Sequence, residues 1–142
     1  MAEAVLPSHI QLEIVTPDKQ VAHESVTAVT IPGKNGYLGI LPGHAPLLAE
    51  LKVGEVICTR DGAQHYLAVS WGFAEVLPDR CIILVQTAER AEEIDLARAE
   101  RALERAEERL KKAADPEVDA GRAREAYERA LARLHAARRS GS

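Results

Sequence analysis

The run Glu89 to Leu110, ERAEEIDLARAERALERAEERL, constrains the chain most, because its dense Ala, Glu and Arg content admits little except helix. At about 100° per residue, Ala91, Ala99, Ala102, Leu103, Ala106 and Leu110 share one side of that helix. Asp95 then projects into the middle of the apolar stripe, and Arg98, Arg101, Arg105 and Arg109 line one flank. A charge on a packing seam costs free energy unless something pairs with it. A local rule broken in this way marks a place to look for function.

The helix is expected to open at Thr87 as N-cap, with Glu89, Glu92 and Glu93 at the positive end of its dipole. It should stop by Ala114, since Pro116 disfavours helical geometry at Asp115. Asp115-Pro116 then reads as the cap and first residue of a second helix. Ala123, Ala126, Tyr127, Ala130, Leu131, Leu134 and Ala137 form its apolar face. Residues 140–142 are expected to fray.

Residues 8 to about 86 read differently, as short strands broken by turn residues. The candidates are His9–Val15, Gln20–His23, Val26–Ile31, Tyr37–Leu41, Leu47–Leu51, Glu55–Arg60, His65–Trp71, Phe73–Leu77 and Cys81–Gln86. Pro32-Gly33, Asn35-Gly36, Pro42-Gly43, Asp61-Gly62 and Pro78-Asp79 punctuate them. The expected fold is therefore α+β: an antiparallel β-sandwich over residues 1–87, then a two-helix hairpin over residues 88–139.

Charge separates the halves. Residues 1–88 hold five Lys/Arg and nine Asp/Glu, whereas residues 89–142 hold thirteen of each. A net charge of -4 gives no basic excess of the kind nucleic acid demands. No apolar run reaches ~18 residues, so no direct membrane insertion is expected, and the start lacks the pattern of a signal peptide. Cys58 and Cys81 sit in apolar strands and read as reduced, buried thiols. There is no phosphate-cradling Gly-x4-Gly-Lys motif, no Gly-x-Ser-x-Gly elbow, and no metal spacing among the histidines. No enzyme activity of the chain itself, no metal and no obligatory cofactor are expected.

Alanine seams let two helices approach closely but bury little area, so at ~25 cal/mol per Å² they hold weakly. The hairpin should open at modest cost while each arm stays helical. Opened end to end, some 48 helical residues would span ~70 Å. The arginines lie like beside like: Arg101, Arg105 and Arg109 on the first helix, Arg122, Arg129 and Arg133 on the second. In a closed hairpin, Arg98 and Arg105 can converge with Arg129 and Arg133. Clustered guanidiniums suit an anion with several oxygens, such as a triphosphate, with Asp95 accepting from a base or ribose. A merely solvated charged face remains the alternative on spacing alone.

Ile94-Asp95-Leu96-Ala97-Arg98-Ala99 resembles the Ile/Leu-Asp-x-x-Arg-Ala nucleotide motif of bacterial F-type ATP synthase epsilon subunits. The segment from Gly36 to Leu47, GYLGILPGHAPL, is similar to that family's sandwich signature, and Val15-Thr16-Pro17-Asp18 and Phe73-Ala74-Glu75-Val76 fit it too. The resemblance spans nearly the whole chain, in order. It implies a central-stalk rotor subunit at the cytoplasmic face of the bacterial membrane, in a machine moving protons or sodium. The sandwich would bind the gamma subunit and the membrane c-subunit ring. The hairpin would extend into the alpha/beta catalytic head and inhibit ATP hydrolysis, with ATP as a regulatory ligand of the folded form. The ATP-binding residues it implies are Glu89, Ile94, Asp95, Arg98, Ala99, Arg105, Arg129 and Arg133. The interface residues are Tyr37, Leu38 and His44. Tyr37 stands where many members are acidic and Trp71 where glycine is common; Trp71 reads as a packing residue. The alternative is a passive rotor subunit whose hairpin stays folded, and a coiled-coil adaptor is disfavoured because neither helix sustains a Leu heptad.

Overall fold

In the first strand Ile10, Leu12 and Ile14 are fully buried while the residues between them face outward, which is what one-sided alternation dictates. The computed structural model describes residues 6–140. Its strands are β1 (Ile10–Val15), β2 (Gln20–Val26), β3 (Ala28–Gly33), β4 (Gly36–Ile40), β5 (Leu47–Leu51), β6 (Gly54–Arg60), β7 (Ala63–Val69), β8 (Gly72–Leu77), β9 (Arg80–Val85) and β10 (Ala88–Arg90). They hydrogen-bond in the order β10-β7-β6-β3-β5-β8-β9-β1-β2, with β4 added on β3. The sheet folds over a single core containing Leu12, Ile31, Leu51, Val56, Leu67 and Ile83, and β2 comes to lie against β6. Every pairing is antiparallel except that of β1 with β9.

Asp61 and Gly62 both have positive φ, 52° and 78°, as the tight β6–β7 hairpin requires. The strand candidates Gln20–His23 and Val26–Ile31 leave Glu24 and Ser25 between them. Instead β2 runs through to Val26, because β1 pairs with it along its whole length and Glu24 is ion-paired with Arg60 and Arg90. Cys58 and Cys81 are buried free thiols, and burial pushes them up to about 11 and about 12 respectively.

The sequence places a helix start at Thr87, and the structure corrects this. Thr87 donates from its amide and its hydroxyl to Ser70 Oγ, each at 2.9 Å. Residues 88–90 continue as β10 against β7, covering an edge that would otherwise lie open. One 3-10 turn, Ala91–Glu93, follows, and α1 spans Leu96–Lys111. Asp95 is its N-cap: Oδ1 accepts from the Arg98 amide at 3.1 Å, and the residue is exposed. It therefore does not interrupt the apolar seam, whose phase had been carried back through residues that are not helical.

Asp115 likewise does not open the second helix. It builds a turn, accepting from the amides of Glu117 (2.9 Å, Oδ1) and Val118 (3.0 Å, carbonyl). Helix α2 spans Ala120–Ser140 and is capped by Asp119, which accepts from Arg122 at 3.1 Å. Of the tail expected to fray, Ser140 ends α2, and Gly141 and Ser142 lie outside the described residues. The arms of 16 and 21 residues reach ~55 Å end to end, shorter than the sequence suggests.

Helix α2 lies between α1 and strands β6 and β7. Ala123, Ala130 and Leu134 are buried as expected, with Ala99 and Ala106 on α1. Ala132 and Ala136 form a second buried face, in a cluster with Ala68 and Ala91 against which Val53, Tyr66 and Ile94 pack. Among the described residues no helix is long and apolar enough to cross a membrane.

Candidate functional site: an arginine-lined cleft under the hairpin

A cleft of about 390 Å³ opens where α1, α2 and the edge of the sandwich meet. Thr87 and Glu89 reach it from the chain entering and forming β10, Arg105 and Arg109 from successive turns of α1, and Arg129 and Arg133 from successive turns of α2. The i, i+4 spacing on each helix stacks the guanidiniums in two rows, and Ala102, Ala106, Ala126 and Ala130 keep the floor low enough for them to converge.

Arg133 and Glu89 form an ion pair, with Nε 2.8 Å from Oε1, and Nη2 donating to Oε2 at 3.3 Å. The Nε–H points off the carboxylate axis and remains a buried donor without a hydrogen bond. The Arg129 guanidinium stands 5.6 Å from the centre of the Trp71 ring. Among the described residues, no carboxylate lies within 4 Å of Arg105, Arg109 or Arg129. Glu89 offsets one of the four cations and leaves three uncompensated. A neighbouring hollow at the interhelix turn shares Arg109 and Arg129, but Glu117, Asp119 and Glu125 make its lining mixed in sign and less suited to an anion.

Four of the eight residues implied by the resemblance thus converge: Glu89, Arg105, Arg129 and Arg133. The other four do not line the cleft. Asp95 caps α1, Arg98 is exposed, Ala99 is fully buried, and Ile94 packs against the Ala68–Ala132 cluster. Arg98 does share the helix face of Ala102, Arg105 and Arg109, one turn nearer the start of α1. Sequence reasoning missed Arg109 and Thr87 as lining residues and Trp71 as the support of Arg129. Arg109 was legible as the next member of the Arg105 row; the Trp71 contact had no local signal.

The implied interface residues lie on the sandwich, away from the cleft. Tyr37 and Leu38 are 52% and 37% exposed, beside Leu48 at 72%. His44 Nδ1 is bonded to its neighbour's carbonyl, Ala45 O, at 2.6 Å, a contact within its own loop. The Tyr37 hydroxyl accepts from the Glu55 amide at 3.2 Å.

Glu55, on β6, marks a second attachment of the hairpin. Its buried carboxylate faces the end of α2, 3.6 Å from Arg139 Nη1 and 3.9 Å from His135 Nδ1, and Oε2 accepts no hydrogen bond. Arg139 also lies over the Tyr66 ring at 5.4 Å. Burial raises the Glu55 carboxyl above its usual 4.5, and the attraction of Arg139 and His135 offsets this only in part. A raised carboxyl binds its proton more tightly in the folded form. Its contribution to stability is full below about 4.5 and is lost as pH rises through the raised value. Protection of the amides near His135 and Arg139, corrected for intrinsic exchange, should therefore fall as pH rises through that window, and Glu55→Gln should flatten the profile. The same slope in Glu55→Gln would assign the effect elsewhere.

Two family descriptions match adjoining stretches that together cover residues 9–138. Residues 9–91 match the ATP synthase Delta/Epsilon chain beta-sandwich domain, and residues 92–138 match its long alpha-helix domain. The ATP synthase epsilon chain of Koribacter versatilis is 60% identical over 101 residues, 71% of either chain. The ATP synthase epsilon chain 2 of Syntrophotalea carbinolica is 45% identical over 132 residues, 93% of this chain and 96% of that one. A chain in the cryo-EM structure of the Euglena gracilis mitochondrial ATP synthase superposes with a TM-score of 0.81 at 28% identity, over 96% of this chain and 85% of its own. The chain belongs to the epsilon-chain family of F-type ATP synthases, non-catalytic subunits of the central stalk.

Proposed function

We propose that this rotor subunit couples the catalytic head to the ion-translocating ring and brakes ATP hydrolysis through a hairpin that ATP holds folded. The observation that carries the sensing role is the cleft itself: three guanidiniums without carboxylate partners, facing one another across two helices that must both be in place. A triphosphate supplies the dispersed oxygens that such a set can bind at once. Arg105, Arg109 and Arg129 would take the phosphates, with Arg133 adding the part of its edge that Glu89 leaves free. Arg98, farther along the same face of α1, and Asp95, the N-cap of that helix, would take the nucleoside end. The Asp95 carboxylate donates nothing and has accepting capacity left beyond its bond to the Arg98 amide.

Ligand bound only to the closed form stabilises it by RT ln(1 + [L]/Kd), ~2.7 kcal/mol at a hundredfold excess over Kd. The buried residues of the two helices are mostly alanine, with Leu134 the one large fully buried side chain among those described, so a bias of that size can decide between closed and open. Opened, the arms are long enough to reach along a gamma subunit into the alpha/beta head. The sandwich would dock on gamma and on the c-subunit ring, with Tyr37, Leu38 and His44 at the interface, at the cytoplasmic face of the bacterial membrane. Calorimetric titration of the full chain with ATP tests the sensor: saturable heat is expected, and none at millimolar ATP would leave a rotor subunit without nucleotide sensing.

A further inference from the structure

We infer that Trp71 is a positioning residue of the arginine cleft: its indole face fixes the Arg129 guanidinium so that the edge donors point at a bound polyphosphate. The inference rests on the reading of the cleft as a polyanion site. Trp71 is not part of the lining, and it is the chain's single tryptophan.

Arg129 Cζ lies 5.6 Å from the indole centroid, inside the ~6 Å within which a cation is attracted to an aromatic face. Attraction of a cation to an aromatic face pairs none of the guanidinium's five N–H donors with an oxygen. Arg129 beside Trp71 therefore keeps those donors for phosphate oxygens. A carboxylate in the same place would consume some of them, as Glu89 does with Arg133. Trp71 thus holds a cation in place without neutralising it, which suits a site meant to receive an anion.

The backbone that carries the indole is pinned on both sides. Trp71 is half-buried, and its carbonyl accepts from the Gln86 amide at 3.0 Å. On one side Ser70 donates to the Thr87 carbonyl at 3.0 Å and accepts from Thr87 through its hydroxyl. On the other side Gly72 is pressed so closely on β9 that a Cβ there would fall 1.8 Å from the Leu84 carbonyl oxygen. A ring mounted on backbone pinned at both flanks, and itself half-buried, gives Arg129 a defined resting place and spares it part of the rotamer entropy that a free arginine loses on binding.

A double-mutant cycle on the full chain, read by calorimetry with ATP, tests this. Trp71→Leu should weaken binding roughly three- to tenfold, and Trp71→Phe, which keeps an aromatic face, by less. Arg129→Gln and the double variant Trp71→Leu/Arg129→Gln should bind alike, because the indole acts only through that guanidinium. Wild-type affinity in Trp71→Leu, or an equal loss from Trp71→Leu in both backgrounds, would overturn the inference while leaving the cleft intact. A wild-type chain that takes up no ATP would remove the polyanion site and the inference together.

Discussion

Replacing Arg105 and Arg129 together by glutamine is expected to weaken ATP binding by at least ~100-fold and to leave the fold unchanged, since charge-assisted hydrogen bonds contribute ~1.5–3 kcal/mol each. The pair is chosen from the geometry. Neither residue has a carboxylate within 4 Å among the described residues, so removing them strands no buried charge. Arg105 is exposed and Arg129 half-exposed, and glutamine is a good helix former in both places. Arg133→Gln is a poorer probe, because it would leave Glu89 partly buried without its cation. Calorimetry and circular dichroism on the same sample separate the two effects. Undiminished binding in the double variant would place the nucleotide outside the cleft.

Removing the hairpin is the second large perturbation. If the hairpin is the proposed brake, deletion of residues 94–142 is expected to raise ATP hydrolysis by the reassembled synthase severalfold, because the brake would go while the sandwich stays whole. The cut belongs after Glu93, not at the change in sequence pattern near Thr87. Residues 88–90 pair with β7, Arg90 joins Glu24 at 3.6 Å, and Ala91 is buried, so an earlier cut would open the sandwich itself. Hydrolysis equal to that of the intact enzyme would favour a permanently folded, passive hairpin.

The sandwich was largely legible because its signals are local. Alternation in Ile10–Val15 and turn pairs such as Asp61-Gly62 encode strands and their ends without reference to partners. Strand β10 escaped because nothing in Ala88–Arg90 marks a strand; the open edge of β7 recruits it. The placement of Asp95 on the apolar seam was misread because helical phase was extended across the 3-10 turn, and once the helix begins at Leu96 the same aspartate stands at its N-cap. The second buried face of α2 escaped because alanine gives no contrast between Ala130, on the expected face, and Ala132 and Ala136, against the sandwich. In the cleft, the rows Arg105–Arg109 and Arg129–Arg133 follow from i, i+4 spacing. What they meet across the fold, Glu89 and Trp71, is set by tertiary packing.

Amide hydrogen exchange of the full chain with and without ATP tests the central claim most directly. A ligand that holds the hairpin closed should slow exchange along Leu96–Lys111 and Ala120–Ser140 and leave the strand core, Leu12 and Val56 among it, unchanged. Helices as protected as that core before ATP is added, and no more protected afterwards, would contradict an opening hairpin held shut by nucleotide.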